Sequence, residues 1–479
     1  MESPREWYER KETEYGIIIS LFLAAFLFYF SIFLKNPLIT GIDGPYYLIQ
    51  VRSLLNSGHL VYGDPPLIFY LLAFFTILLR DITLGVEFGV ALFCALSTIP
   101  IYFLMKRVTE KPWFGYIAIL LFIFSALFIR MMSDFMKNAI GIFFLISFFY
   151  YLHDMAFNGR CWMNFLLTIL FLFLTGLTHI LDFGVALLFL IVYSSMFAIF
   201  GVNRSRFLKS IGLIALIFAL FVVITVTILQ FFFTDYNKIL HFFEDIAEIQ
   251  DLGPLAPLII PPLQGPLLPI SWLMLASIIF LGFALSIYEW RMKKREPFIL
   301  VSTITITGML LSFPLIPMQW LFRFMLMDFI PIAVILSHGL SKIEELAVRL
   351  KIKSPLSKAL LALISTFLCL SPFVVQSVDM AASVRPTISY AGYLDLMDMK
   401  RIIPTDSIVV VPGFIQYWAQ YVDEVDIANR LSEGFWQSYS NVLGLFFKQR
   451  LPPFIGDLKI IFVGRVFVLA EYPPRPPST

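Results

Sequence analysis

Five groups of polar residues stand out in a chain that is otherwise strongly apolar. The first is Gly41-Ile-Asp43-Gly-Pro-Tyr46-Tyr47, which continues through Arg52 and His59 to Asp64-Pro65-Pro66-Leu67. Asp-Gly and Gly-Pro are turn dipeptides. Residues 45–56 read as a short surface helix, so Asp43 places a carboxylate at the positive end of a helix dipole. The second group is Met132-Ser133-Asp134-Phe-Met-Lys137-Asn138, where Asp134 has the position of a helix cap. The third is Thr178-His179 with Asp182 close behind. The fourth is Gln319-Trp320-Leu-Phe-Arg323-Phe324. Arg323 suits two-pronged phosphate binding, although it can also snorkel to lipid headgroups. The fifth is His241-Phe-Phe-Glu244-Asp245 with Glu248, ahead of six prolines between Pro254 and Pro269. Together these groups offer carboxylates and imidazoles for proton transfer and a guanidinium for phosphate.

The elements that position them are membrane helices. The 479 residues are 59% hydrophobic and 14% charged, where a soluble domain carries about 25% charge. Apolar runs recur with the length that crosses a hydrocarbon core of about 30 Å. They fall at 15–34, 86–105, 113–130, 138–152, 161–177, 183–201, 211–233, 271–288, 297–313, 321–340 and 359–377, which makes about eleven spans. No small-residue cleavage site follows the first run, so it reads as an uncleaved span. One further run, 67–80, is too short: as a helix it reaches about 21 Å.

Lys and Arg, which are enriched in cytoplasmic loops, decide how 67–80 is read. If that run does not cross, residues 1–14, 106–112, 153–160, 202–210, 289–296 and 341–358 share one side and hold 19 Lys and Arg. Apart from the C-terminal tail, the other side holds only Lys35, Arg52, Arg80, Arg130, Lys137, Lys238 and Arg323. A crossing would reverse every later loop and put Arg291-Met-Lys-Lys-Arg295 outside. The expected topology therefore has a cytoplasmic N-terminus, outer loops at 35–85 and 234–270, and an outer C-terminal domain at 378–479. That domain reads as small and α/β, with a strand at Ser407–Val411, a helix near 413–431 and a β-rich run from Ile460 to Leu469. The sequon Asn203-Arg-Ser205 falls on the cytoplasmic side, so no glycosylation is expected there.

Composition excludes several classes. A net charge of +2 gives no footprint for nucleic acid. Cys94, Cys161 and Cys369 lie in apolar runs and read as small core residues. A transporter would place charges or broken helices in mid-span. Only Pro100, Pro331 and Asp328 lie there, and the conspicuous polar groups share the outer face.

The order of these features resembles the GT-C superfamily of membrane glycosyltransferases. That group includes the protein O-mannosyltransferases, the aminoarabinose transferase that modifies lipid A and the oligosaccharyltransferase catalytic subunits. An Asp follows span one, a short Pro-Pro-Leu helix fails to cross, an acidic residue precedes a later span, and an Arg-Phe pair comes late. The resemblance covers the architecture of residues 15–340. Position 44 is Gly, so the Asp-Glu pair of the protein O-mannosyltransferases is absent. Asp64 stands where a Lys often precedes Pro-Pro-Leu. The Trp-Trp-Asp-Tyr-Gly motif of the oligosaccharyltransferases is missing.

The resemblance implies transfer of a sugar from a polyprenyl (dolichyl-type) phosphate to an acceptor hydroxyl on a lipid, glycan or protein. Asp43 would act as base and Asp134 would orient the acceptor. The pair would share a divalent cation, Mg or Mn, if one is used. Arg323 and Lys137 would bind the donor phosphate. Tyr46, Tyr47, Arg52, His59, His179, His241 and Glu244 complete the expected substrate contacts. The expected setting is a multi-pass protein of the plasma membrane or an endomembrane. The competing readings are a flippase for lipid-linked sugars, supported by Asp328, and an enzyme using a lipid diphosphate donor.

Overall fold

The computed structural model describes residues 4–158, 162–228, 268–313, 318–349 and 354–473, with the single residues 244 and 316. Helix α1 (Pro4–Leu34) leads into loop 35–43, then α2 (Gly44–Ser57) and α3 (Leu67–Leu79). The short run thus forms a 13-residue helix, about 20 Å long at 1.5 Å per residue. Arg80 stops it in the left-handed conformation (φ 58°). Asp81 then caps α4 (Ile82–Leu96), its carboxylate accepting from the Leu84 N–H at 2.7 Å. The two helices form a tight hairpin because Gly85 carries no side chain. A Cβ there would lie 2.4 Å from Thr76 Cα.

The second expected span is α4 followed by α5 (Thr98–Thr109), which together run 28 residues. The third is broken. Helices α6 (Pro112–Ile123) and α7 (Ala126–Asp134) meet at 51°. Phe124 ends the first, and Ser125 caps the second, accepting from Phe128 N–H at 3.3 Å. Then follow α8 (Met136–Asn158), α9 (Trp162–Thr178), α10 (Ile180–Phe200) and α11 (Arg204–Ile228). Past the proline-rich segment come α12 (Leu268–Arg291), α13 (Arg295–Leu311), α14 (Met318–Met325), α15 (Phe329–Arg349) and α16 (Pro355–Ser383). A 3₁₀ turn, Leu326–Asp328, separates α14 from α15, so the span expected at 321–340 is also interrupted. Among the described residues, seven helices are long and apolar enough to cross a bilayer, or eight with the bent pair. The bend is pinned by rings: Phe122, Phe128 and Phe329 meet with centroids 4.6–4.9 Å apart, a favourable aromatic spacing.

The basic segments that charge sorting puts together do gather at one end of the bundle. Lys106 pairs with Glu14, Arg107 with Glu296 (2.6 Å), and Lys342 with Glu289 (2.5 Å). The C-terminal domain closes the other end, against α2.

That domain begins with α17 (Tyr390–Met399) and holds a five-stranded sheet in the order β2-β1-β3-β5-β4. β1 (Ser407–Val410) runs parallel to β2 (Asp426–Ala428) and β3 (Asn441–Phe447). β5 (Phe467–Glu471) runs antiparallel to β3 and to β4 (Lys459–Val463). The helix expected over 413–431 is shorter. It forms as α18 (Gln416–Asp423), ends at Glu424 in the left-handed region (φ 57°), and gives way to β2. The run from Ile460 to Leu469 is a hairpin rather than one strand. Asp395 sets its turn, accepting from the N–H groups of Arg465, Val466 and Phe467 at 3.0, 2.6 and 3.0 Å. Cys94 and Cys369 are free, and Cys161 lies outside the described residues.

Candidate active site

Loop 39–43 brings the first acidic residue to the second. Gly41 packs on the end of α7 so closely that a Cβ would lie 1.8 Å from Ser133 O, and its φ is +82°. Only glycine meets both demands without strain. The Gly41 N–H also donates to Arg385 O at 3.2 Å, and Gly41 bridges to Pro386 ahead of the C-terminal domain. The next residue, Ile42, gives its N–H to the Asp134 carboxylate. Asp134 closes α7 rather than opening α8. It pairs with Arg130 one turn back, at 2.5 Å.

Asp43 lies at the N-terminus of α2, and its side chain makes no capping bond there. Burial raises its carboxyl to about 6, against which the charges of Arg323 and then Lys137 act to lower it; Asp134 and Asp64 push it up. The carboxylate therefore sits among two cations and two further carboxylates drawn from four separate segments. Near neutral pH it remains mostly ionised while keeping a carboxylate's readiness to accept a proton.

The cations are held from behind. The Lys137 ammonium lies 2.6 Å from Asp64 Oδ1 and over the Tyr46 ring at 5.6 Å. The Lys137 backbone N–H donates to the Tyr47 hydroxyl at 3.0 Å, which ties α2 to the start of α8. Arg323, on α14, lies over the Phe135 ring at 5.0 Å. Asp64 reaches Lys137 because the chain reverses after α2. Gly58 caps that helix (φ +75°), and buried Gln50 receives the Tyr62 N–H at 3.0 Å and donates to Tyr62 O at 3.0 Å.

Other expected contacts lie elsewhere. The Arg52 guanidinium reaches Tyr421 O at 2.9 Å and Glu424 at 3.1 Å, so it fastens α2 to the C-terminal domain. His59 is exposed at the far end of α2 from Asp43, where its carbonyl folds back to accept from Ser53 Oγ at 2.8 Å. His179 is buried with Asn138 (3.1 Å) and Asp182 (3.2 Å), bracing α8 against α10. His241 lies outside the described residues. Glu244 is one exposed helical residue whose neighbours also lie outside them. Asp328 is wholly buried and accepts from Ser312, so it does not line an open path.

Three members of the cluster carry no sequence motif. Arg130 shows only its spacing of four from Asp134. Tyr62 lies in the loop before Pro-Pro-Leu. Tyr417 comes from the C-terminal domain on α18, with its ring 5.3 Å from that of Tyr46 and 6.0 Å from that of Tyr62.

The residues present do not fit a divalent cation well. Asp43 and Asp134 bring two carboxylates, but Arg130 already pairs with the second. Among the described residues, no group of three or more His, Cys, Asp or Glu side chains is arranged to hold a metal.

Residues 63–229 match the family model described as dolichyl-phosphate-mannose-protein mannosyltransferase. Two crystal structures of ArnT from Cupriavidus metallidurans, one bound to undecaprenyl phosphate and one in the apo state, share the fold. Each aligns with a TM-score of 0.52 and 12% identity, over 95% of this chain and 98% of its own. No curated protein matches this chain in sequence.

Proposed function

We propose that this multi-pass membrane glycosyltransferase of the GT-C superfamily takes its sugar from a polyprenyl monophosphate and passes it to an acceptor hydroxyl, with Asp43 as base. The carrying observation is the position of Asp43 under the opposed influence of Arg323 and Lys137. A phosphate monoester leaving group needs cations, and an attacking hydroxyl needs a carboxylate; this cluster offers both. The match to ArnT supports a lipid monophosphate, because undecaprenyl phosphate is bound in one of its structures.

In the step, the acceptor oxygen attacks the anomeric carbon as the bond from that carbon to the phosphate oxygen breaks. The acceptor proton goes to Asp43. The electron pair stays on the phosphate, held by Arg323 and Lys137. Asp64 keeps the Lys137 ammonium in place, and Asp134 holds the Asp43 loop through the Ile42 N–H. The chemistry runs on the outer face, with the N-terminus cytoplasmic, in keeping with the charge sorting of the loops. No step is routed through a metal.

General-base catalysis contributes about 10²- to 10⁴-fold. Asp43→Asn, assayed in membrane extracts with labelled polyprenyl-phosphate sugar, is expected to lose transfer by that order. Transfer at the wild-type rate would overturn the assignment.

A further inference from the structure

The basic end of the bundle lies one α10 length from the active-site end. That helix runs 21 residues, about 30 Å, from the His179–Asn138 contact beside Lys137 to Phe200. At the basic end, four cations are matched by carboxylates of the protein. Lys106 has Glu14, Arg107 has Asp154 and Glu296, Lys294 has Glu345, and Lys342 has Glu289. The turn between α10 and α11 differs. Among the described residues, no Asp or Glu pairs with Arg204 or Lys209, and Arg204 gives its Nε–H to Gly201 O at 3.1 Å. Asp154, near the end of α8, is taken up by Arg107, Asn158 and Asn164.

These cations line a groove. An open hollow of about 820 Å³ is bordered by Asn203, Arg204, Arg206, Lys209 and Ser210. It adjoins a narrower recess of about 290 Å³, whose other wall is Met155 and Phe157 of α8 with Trp162 and Phe165 of α9. Among the described residues, no carboxylate borders either part. Asn203, Arg206, Ser210 and Leu213 line both parts, and their spacing of three or four puts them on one face of α11. Along that face, polarity falls from amide and guanidinium through hydroxyl to leucine. The face is fixed by Phe207, which is buried against Phe197 and Tyr193 with centroids 4.3 and 6.0 Å away. Asn203 holds φ +57°, and its carbonyl accepts from the N–H groups of Arg206 and Phe207, which starts the helix. The positive end of the α11 dipole therefore points the same way as the three cations. Trp162 is 69% exposed and stacks on Phe165 at 5.4 Å. Such a ring suits the depth of lipid headgroups. Beyond it, Leu166, Leu213 and Leu216 are exposed.

We propose that this groove binds the headgroup of one anionic phospholipid in the leaflet opposite the active site, which is the cytoplasmic leaflet in the reading above. Arg204, Arg206 and Lys209 balance the phosphodiester charge, and Asn203 and Ser210 bond its oxygens. An acyl chain runs along Leu213, between α11 and the Trp162–Phe165 pair. Charge complementarity selects this occupant: three cations and no carboxylate line the polar half, as in other basic pockets between membrane helices that hold anionic headgroups. The apolar half then gives that anion a chain. A soluble phosphate would leave it bare. The bound lipid joins the α8–α9 turn to the α10–α11 turn. The site does not depend on the chemistry at Asp43.

The test uses purified full-length protein, stripped of lipid in a neutral detergent. It is titrated with dioleoyl phosphatidylglycerol or dioleoyl phosphatidylcholine, and the first bound lipid is followed by native mass spectrometry. Phosphatidylglycerol is expected to bind roughly tenfold more tightly. Lys209→Gln, at an exposed position, should weaken it about fivefold, and Arg204→Gln combined with Lys209→Gln roughly 25-fold. Lys293→Gln combined with Arg295→Gln removes the same charge at the same end, outside the groove, and should bind within twofold of wild type. Arg323→Gln, at the active site, should also bind within twofold. Excess inorganic phosphate should not displace the lipid. The site is overturned by wild-type affinity in the Arg204 and Lys209 variants, or by an equal loss in the Lys293 and Arg295 pair. Loss of the lipid in Arg323→Gln, displacement by inorganic phosphate, or equal binding of phosphatidylcholine would overturn it as well. No arm reads sugar transfer, so failure here leaves the transferase reading untouched.

Discussion

The Lys137 ammonium and the Asp64 carboxylate lie 2.6 Å apart, with side chains 14% and 4% exposed. They are 73 residues apart in sequence and come from the start of α8 and the loop before α3. A largely buried pair broken by removing one partner leaves the other charge uncompensated, at a cost of about 3–5 kcal/mol. Asp64→Ala should therefore lower the melting temperature of the detergent-solubilised protein and release Lys137 from the site. Transfer should fall with it, through weaker donor binding. A variant that melts and transfers like wild type would show that the pair positions nothing.

Asp43 links activity to pH. Its carboxyl is raised to about 6, so the ionised base is lost as pH falls through 6 and present above it. The rate of transfer at low substrate should rise along an acid limb centred near pH 6. Arg323 lowers this carboxyl, so Arg323→Gln should move the limb to higher pH. A limb that does not move, or moves down, would separate Arg323 from Asp43.

The same raised carboxyl has a cost in stability. Folded Asp43 holds its proton more tightly than an unfolded carboxylate, so it favours the fold at low pH, and that contribution is lost as pH rises from about 4 to 6. Each unit of raised pKa corresponds to about 1.4 kcal/mol. Asp43→Asn, which is neutral throughout, should melt higher than wild type at pH 7.5 while transferring poorly. A lower melting temperature would show that the ionised carboxylate is stabilised in the fold after all.

Gly41 permits the contact between loop and α7. Alanine there must adopt a left-handed conformation, at about 1–2 kcal/mol, and must also force Ser133 O away. Overpacking adds roughly 1–3 kcal/mol. Gly41→Ala should unfold at lower temperature and lose transfer. Gly184→Ala, at a glycine with open space around it, is the matched control and should change neither.

Charge in the cluster is balanced by Arg130, Lys137 and Arg323 rather than by a third ligating side chain. Transfer should survive a chelator within twofold. Activity abolished by chelation and restored by Mg or Mn would place a cation between Asp43 and Asp134.

Much of the fold was legible in sequence because hydropathy is a local property. A run of apolar residues must be helical in lipid whatever its neighbours, since its backbone has no other partners. Hence the short 67–80 run reads as a short helix, which forms as Leu67–Leu79, and Lys and Arg counts sort loops to the ends where they are found. Asp43, Asp134 and Lys137 were legible for a related reason: each follows or precedes a span, where a charge is otherwise hard to explain.

The break at Phe124–Ser125 was not legible, because the sequence around it stays apolar, and at Leu326–Asp328 the lone Asp328 did not by itself specify a break. Nor was the division of 413–431 into a helix and a strand, which turns on one left-handed residue, Glu424.

The sequence by itself determined that this chain is a bundle of membrane-length apolar helices with its basic loops gathered at one end. Only the tertiary structure decided which polar groups meet: Asp64 with Lys137, Arg52 with Glu424, Tyr417 with Tyr46. The reason is that membrane insertion depends on residues adjacent in the chain. Pairing depends on how helices far apart in the chain turn and pack against one another, and no local pattern carries that information.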